Sequence, residues 1–172
     1  MSGLFQKFYP TESVSGIREI TPEWLAARGI RGVVFDIDNT VVPQDAPADE
    51  AARRYFAGLQ EAGVKTFIVS NNAEPRVKTF AEAVGSGYFY KAKKPSRRGY
   101  LAAIRGMHLR RKEVIVVGDQ LFTDICGANR SRIRSVLVEP VAPEKDTTAV
   151  RLKRPFEKIV FHFWHRDAQK NS

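Results

Sequence analysis

The sequence predicts an α/β fold: a Rossmann-like three-layer sandwich with a central parallel sheet. Three observations point to it. Short apolar runs alternate with helical patterns along the chain. Each run is continuously apolar rather than alternating, as in strands covered on both faces. Polar residues cluster directly after the runs, where a parallel sheet places its ligand crevice.

Thr21-Pro22-Glu23 predicts a helix start, with Thr21 as cap and Gly29 as stop. Gly32 to Phe35 reads as a buried strand running into Asp36-Ile37-Asp38-Asn39-Thr40. Pro43 to Pro47 is loop. From Asp49 to Ala62, Ala52, Tyr55, Phe56 and Leu59 share one helical face. Val64 to Val69 is a second strand, ending in Ser70-Asn71-Asn72. Pro75 opens a helix that presents Val77, Phe80, Ala81 and Val84 inward. Tyr88-Phe89-Tyr90 reads as a short strand, and Ser96 caps a helix carrying Tyr100, Leu101 and Ile104. Val114 to Val117 is an apolar strand before Gly118-Asp119, with a helix expected over 121–130. Val136 to Val138 is the last strand. The chain then reads as loop to about Thr148 and as a basic-aromatic helix from Pro155 to Trp164.

A length of 172 residues suits one domain. The expected division is 1–150 for the main domain, with 1–30 as lead-in, and 151–172 as a C-terminal tail helix. One cysteine, Cys126, excludes an internal disulfide framework and a Cys-rich zinc site. No stretch approaches the apolar length of a membrane span, and the N-terminus lacks the apolar core of a signal peptide. The expectation is therefore a cytoplasmic protein. Residues 1–90 carry 9 basic and 11 acidic side chains, and residues 91–172 carry 19 and 8. The net charge of +9 thus belongs wholly to the second half. Such asymmetry points to an anionic partner: a phosphorylated substrate, phospholipid headgroups or nucleic acid.

Asp36, Asp38, Asp119 and Asp124 should converge on one crevice, although they are far apart in the chain. Carboxylates gathered at close range raise one another's pKa unless a cation offsets them. A hard divalent ion such as Mg²⁺ suits oxygen ligands and shares its shell with phosphate. A serine at a strand end and a nearby lysine would donate to phosphate oxygens. Each piece alone is a common turn or cap; their order and strand-end placement together are specific.

Asp36-Ile37-Asp38-Asn39-Thr40, Ser70, Lys94-Pro95 and Gly118-Asp119 through Asp124 resemble the four motifs of the haloacid dehalogenase (HAD) superfamily. The resemblance implies a Mg²⁺-dependent phosphomonoesterase working through an aspartyl phosphate. Asp36 would be the nucleophile and Asp38 the general acid and base. Thr40, Ser70, Asn71 and Lys94 would bind phosphate. The metal would sit on Asp36, Asp38 through its backbone carbonyl and Asp119, with Asp124 either as a direct ligand or in the outer shell. Only 29 residues separate Thr40 from Ser70, and 23 separate Ser70 from Lys94, too few for a cap domain. That resembles the capless subfamily IIIA, whose open sites admit large substrates.

Phe8-Tyr9-Pro10, Ile20-Thr21-Pro22-Glu23, Gly29-Ile30, Arg76-Val77 and Gly118-Asp119-Gln120 also resemble the bacterial YqeG family, similar to the phosphatidylglycerophosphate phosphatases. The substrate implied is a phosphate monoester on a lipid headgroup, with peripheral contact at the inner face of an anionic membrane. The basic tail with Phe156, Phe161, Phe163 and Trp164 either meets that membrane or packs on the domain, and Leu4, Phe5, Phe8 and Tyr9 carry the same two readings. Two alternatives remain: a phosphatase of nucleic-acid ends, and a HAD-fold protein acting only through binding.

Overall fold

The structure is a computed structural model that describes residues 5–170; Leu4 lies outside them. The elements in chain order are β1 (Glu12–Val14), α1 (Pro22–Ala26), β2 (Gly32–Phe35), α2 (Glu50–Glu61), β3 (Lys65–Val69), α3 (Glu74–Ala83), β4 (Gly87–Phe89), α4 (Arg98–Met107), β5 (Val114–Gly118), α5 (Cys126–Arg130), β6 (Arg134–Val138) and α6 (Thr148–Lys170). A π-helical turn, Leu121–Ile125, precedes α5.

All six strands form one parallel sheet in the order β1-β6-β5-β2-β3-β4. The expected fold class is the observed one. β2 and β5 are buried at every residue, as their unbroken apolar runs require. On one face Phe35, Ile37, Phe56, Leu59, Ile68 and Phe80 form a core under α1, α2 and α3. On the other, Val34, Val69, Tyr100, Met107 and Val116 pack under α4 and α5. A smaller cluster joins Leu121, Ile125 and Val160 to the N-terminal aromatics.

Local chemistry sets the boundaries. The Thr21 and Asp49 side chains accept from the backbone N–H groups of Trp24 and Ala52, capping α1 and α2. Gly29 and Gly63, at φ of 65° and 82°, turn the chain after those helices.

Three elements differ from the sequence reading. The lead-in contributes an edge strand, β1, pairing Glu12 to Val14 with Val136 to Val138. Its three residues carry no apolar run to announce it. Residues 121–130 open as a π turn before becoming α-helical. Finally, α6 begins at Thr148 and encloses Pro155. The Thr147 hydroxyl and carbonyl accept from Val150 and Arg151, so the helix is started upstream of the proline.

Between β2 and β3 the structure holds a loop and α2, and between β3 and β4 only α3; among the described residues no cap domain stands over the strand ends.

Phe35 anchors the first core, with its ring 4.8 Å from Phe56 and 6.0 Å from Tyr55. Phe35→Ala should lower unfolding stability by about 3–5 kcal/mol, read from urea denaturation with circular dichroism. A loss under about 1 kcal/mol would mean that the site collapses onto the cavity.

Candidate active site

The site is built where β2, β3 and β5 end. Asp36 follows the last residue of β2, Ser70 the last of β3 and Asp119 the last of β5. Parallel neighbours in register bring these positions side by side. Asp36, Asp119 and Asp124 are buried, with one carboxylate oxygen of each within 4.8 Å of the others.

Asp124 is delivered by the π turn, a departure from α-helical winding often found at functional positions. Gln120 N–H donates to its Oδ2 at 3.2 Å. A Cβ on Gly118 would lie 2.4 Å from Asp124 Cβ and Cγ, so only glycine permits this approach.

Lys94 reaches in from the loop after β4. Its Nζ donates to Asp36 Oδ1 at 2.6 Å and Asp124 Oδ1 at 2.7 Å, and its side chain is 4% exposed. The loop is shaped by left-handed backbone at Lys91 and Lys93, conformations that cost energy without glycine. It is held by Asn71 Oδ1, which accepts from Lys94 N–H at 2.7 Å. Of the three lysines in this segment, the structure turns Lys94 onto the carboxylates.

Asp119 is held on both oxygens. Thr40 Oγ1 donates to Oδ1 at 3.0 Å, and Arg154 Nη2 to Oδ2 at 2.5 Å. Thr40, expected to bind phosphate, thus directs its hydroxyl to Asp119. Arg154 comes from α6 and also donates to the Asp119 carbonyl, Asp146 and Glu157. Glu157 Oε1 in turn accepts from Leu121 N–H at 2.8 Å. Asn39 Nδ2 donates to Asp146 at 2.5 Å, and Asn39 Oδ1 accepts from Ala142 N–H. The C-terminal segment is thereby stitched to the loops after β2 and β5.

The Asp38 carboxylate is outside the trio. Its Oδ1 accepts from Asp45 N–H at 2.8 Å and from Arg76 at 2.9 Å, and its Oδ2 from Asn72. Ser70 is buried, with Oγ accepting from Asn72 N–H at 3.2 Å.

Charge is unbalanced in the cluster. Five carboxylates (Asp36, Asp119, Asp124, Asp146 and Glu157) hydrogen-bond around two cations, Lys94 and Arg154. Burial pushes the Asp36 carboxyl up to about 7, against the pull of Lys94 and with a further push from Asp124. Burial likewise takes Asp119 up to about 6, with Asp36 adding to the rise, and raises Asp124. Burial works against the Lys94 charge, yet Asp124 and Asp36 outweigh it and keep its pKa well above the ordinary lysine value. Three converging hard oxygen ligands with an excess of negative charge fit a divalent cation of the Mg²⁺ kind.

Sequence reasoning missed Arg154, Asp146, Asn39 and the pair Asn72 and Arg76 as parts of this framework. Arg154 stood within a basic cluster and read as surface charge. The signal was Glu157, the sole acid between Thr148 and Arg166, three residues from Arg154.

Comparison with known proteins agrees with the geometry. The haloacid dehalogenase-like hydrolase family matches residues 42–131. A Bacillus subtilis (strain 168) protein named "Probable phosphatase YqeG" is 41% identical over 91% of this chain and 92% of its own. The Arabidopsis thaliana "Phosphatidylglycerophosphate phosphatase 1, chloroplastic/mitochondrial" is 29% identical over 94% of this chain, which spans 49% of that protein. A crystal structure of a HAD family hydrolase from Deinococcus radiodurans R1, with bound phosphate and sodium, shares the fold. Its TM-score is 0.52 at 13% identity, covering 65% of this chain and 92% of that one.

Two outcomes are expected. Arg154→Ala leaves buried carboxylates without their cation and should cost about 3–5 kcal/mol in urea denaturation; an unchanged midpoint would show that the contacts are incidental. The second concerns pH. Asp36 and Asp119 ordinarily titrate near 3.8, but here at about 7 and about 6. Raised folded-state values mean that their contribution to stability is full below about pH 4 and is lost as pH rises through about 7. A bound Mg²⁺ needs both groups ionised, so it should raise Tm clearly at pH 8 and little at pH 5. At a hundredfold excess over Kd the gain at pH 8 should be about 2.7 kcal/mol. Equal Tm shifts at both pH values would remove Asp36 and Asp119 from the metal site.

Proposed function

The chain belongs to the haloacid dehalogenase-like hydrolases and is a phosphatase, and from that premise we propose that it releases phosphate from a lipid headgroup, such as phosphatidylglycerophosphate, through an aspartyl phosphate on Asp36. The observation that carries the chemistry is the separation of two carboxylates two residues apart. Asp36 lies in the buried trio with Lys94 on its oxygen. Asp38 is turned away to Arg76, Asn72 and the Asp45 N–H.

That separation suits a division of labour. The Asp36 carboxylate attacks phosphorus, a P–O bond to Asp36 forms, and the bond to the leaving alkoxide breaks. Asp38 gives its proton to that alkoxide, then takes one from the water that attacks the aspartyl phosphate. Lys94 and the Ser70 hydroxyl donate to oxygens of the transferring phosphoryl group. Asn71 holds the Lys94 loop, and Thr40 and Arg154 orient Asp119. Mg²⁺, when bound by Asp36, Asp119, Asp124 and the Asp38 carbonyl, offsets the negative charge of carboxylates and phosphate.

The headgroup reading rests on the Arabidopsis relative and a second phosphatidylglycerophosphate phosphatase, from Chlamydomonas reinhardtii, at 28% identity. The capless strand ends suit a bulky substrate. The reading implies a cytoplasmic enzyme in peripheral contact with the inner face of an anionic membrane.

The test is phosphate release with Mg²⁺ from phosphatidylglycerophosphate, 5′- and 3′-phosphorylated oligonucleotides and small phosphomonoesters. Turnover should be greatest on the lipid and lost in Asp36→Asn. Asp38→Asn should be slower by roughly 10²–10⁴-fold, the usual worth of a general acid. Turnover confined to oligonucleotides would replace the lipid with nucleic-acid ends. No turnover on any substrate would favour a protein that acts only by binding.

A further inference from the structure

Among the described residues, one face of α6 is left uncovered. Leu152, Phe156 and Ile159 are 69, 63 and 52% exposed. Their i, i+4, i+7 spacing sets them in one row along the helix. Among the described residues only five large hydrophobic side chains are exposed, and three of them are in this row. The other side of α6 is committed to the domain through Arg154, Glu157 and Val160.

Between Thr148 and Arg166 the exposed charges of α6 itself have one sign. Arg151, Lys153, Lys158 and Arg166 are all exposed, and the single acid between Thr148 and Arg166, Glu157, is buried against Arg154. We propose that this face docks the protein on an anionic phospholipid bilayer, with Leu152, Phe156 and Ile159 entering the boundary between headgroups and acyl chains. An apolar row flanked by lysine and arginine is the pattern of a helix lying in that boundary, and the cations meet the negative leaflet. A nucleic acid would use the cations and leave the aliphatic row in water. A second copy would set basic flank against basic flank. No helix among the described residues is long and apolar enough to cross a membrane, so α6 lies on the surface.

The proposal rests on the lipid-phosphate reading for its purpose. Arg154 points from the same helix to Asp119, about one helix diameter, on the order of 10 Å, from the docking row. A docked α6 therefore keeps the carboxylate site close to the leaflet that carries the substrate.

The experiment is vesicle sedimentation of the full chain. One set of vesicles is phosphatidylcholine with about one-quarter phosphatidylglycerol, and the other is phosphatidylcholine alone. Wild type should bind the anionic set about tenfold better or more, with binding falling as salt rises. The variant Leu152→Ser/Phe156→Ser/Ile159→Ser should lose at least about tenfold of that binding. Its Tm and its turnover of a water-soluble phosphomonoester should match wild type. Lys153→Glu/Lys158→Glu should lose binding in the same way. Undiminished vesicle binding by the triple-serine variant would overturn the proposal. So would a wild-type dimer that this variant turns into monomers with no change in vesicle binding, which would put a second copy on the face. Docking that depends on the row, without any lipid phosphate release, would leave the surface standing and remove the lipid substrate. Equal hydrolysis of detergent-dispersed phosphatidylglycerophosphate by wild type and variant, with no vesicle binding by either, would do the reverse.

Discussion

The structure depends on keeping buried carboxylates together at the ends of β2 and β5. Water and the ordinary acid pKa both oppose this arrangement. Two unit negative charges about 4 Å apart repel by about 4 kcal/mol even at an effective dielectric of 20. The protein meets this with two cations that approach from different sides of the site. Lys94 arrives from the loop after β4, and Arg154 arrives from α6. Neither position is free to vary independently, because each cation bridges more than one acid. The loop and the C-terminal helix are therefore fixed by the same electrostatic demand as the strand ends.

This demand explains features that are otherwise unconnected. Gly118 has no side chain because Asp124 must lie against its backbone. The turn after β5 winds as a π-helix, and its first N–H groups are received by Glu157 rather than by a preceding helical turn. Asn39 occupies left-handed backbone at φ 59°, where asparagine is tolerated better than most residues, and from there its side chain holds both Asp146 and the chain at Ala142. Residues 139–147 look like a passive linker, yet through Asn39 and Asp146 they carry α6 to the point where Arg154 meets Asp119.

The parallel sheet and its acidic strand ends were legible in the sequence because both leave local marks. A fully buried strand is a continuous apolar run, and a chemical group at its end is the next polar residue. What was not legible depends on long-range pairing. Arg154 lies among Arg151, Lys153 and Lys158, and the one acid in that string, Glu157, stands four residues from Lys153 as well as three from Arg154, so it does not by itself separate the one that turns inward from the three that remain exposed. The same applies to Thr40: a hydroxyl beside two aspartates fits a phosphate as well as it fits Asp119, and only the fold chooses between them. β1 escaped notice for a different reason. Three residues at a sheet edge need little apolar content, because the backbone ladder to β6 supplies the pairing. Pro155 misled the helix boundary, since a proline that usually opens a helix here sits inside one.

The uneven charge of the chain takes a different meaning once the site is known. A basic second half reads as one property in composition, but its cations fall into separate classes. Arg110 is spent on Glu113, whose carboxyl it holds down at about 2. Lys94 and Arg154 are consumed inside the site, where acids outnumber them. What is left for a partner is the exposed set, and on α6 that set flanks an apolar row. Net charge alone favours any polyanion. The distribution is narrower: inward cations hold a carboxylate centre whose acids outnumber them, and outward ones border an exposed apolar row. One helix carries both, so the chemistry of the site and the chemistry of the surface are bound to each other by Arg154.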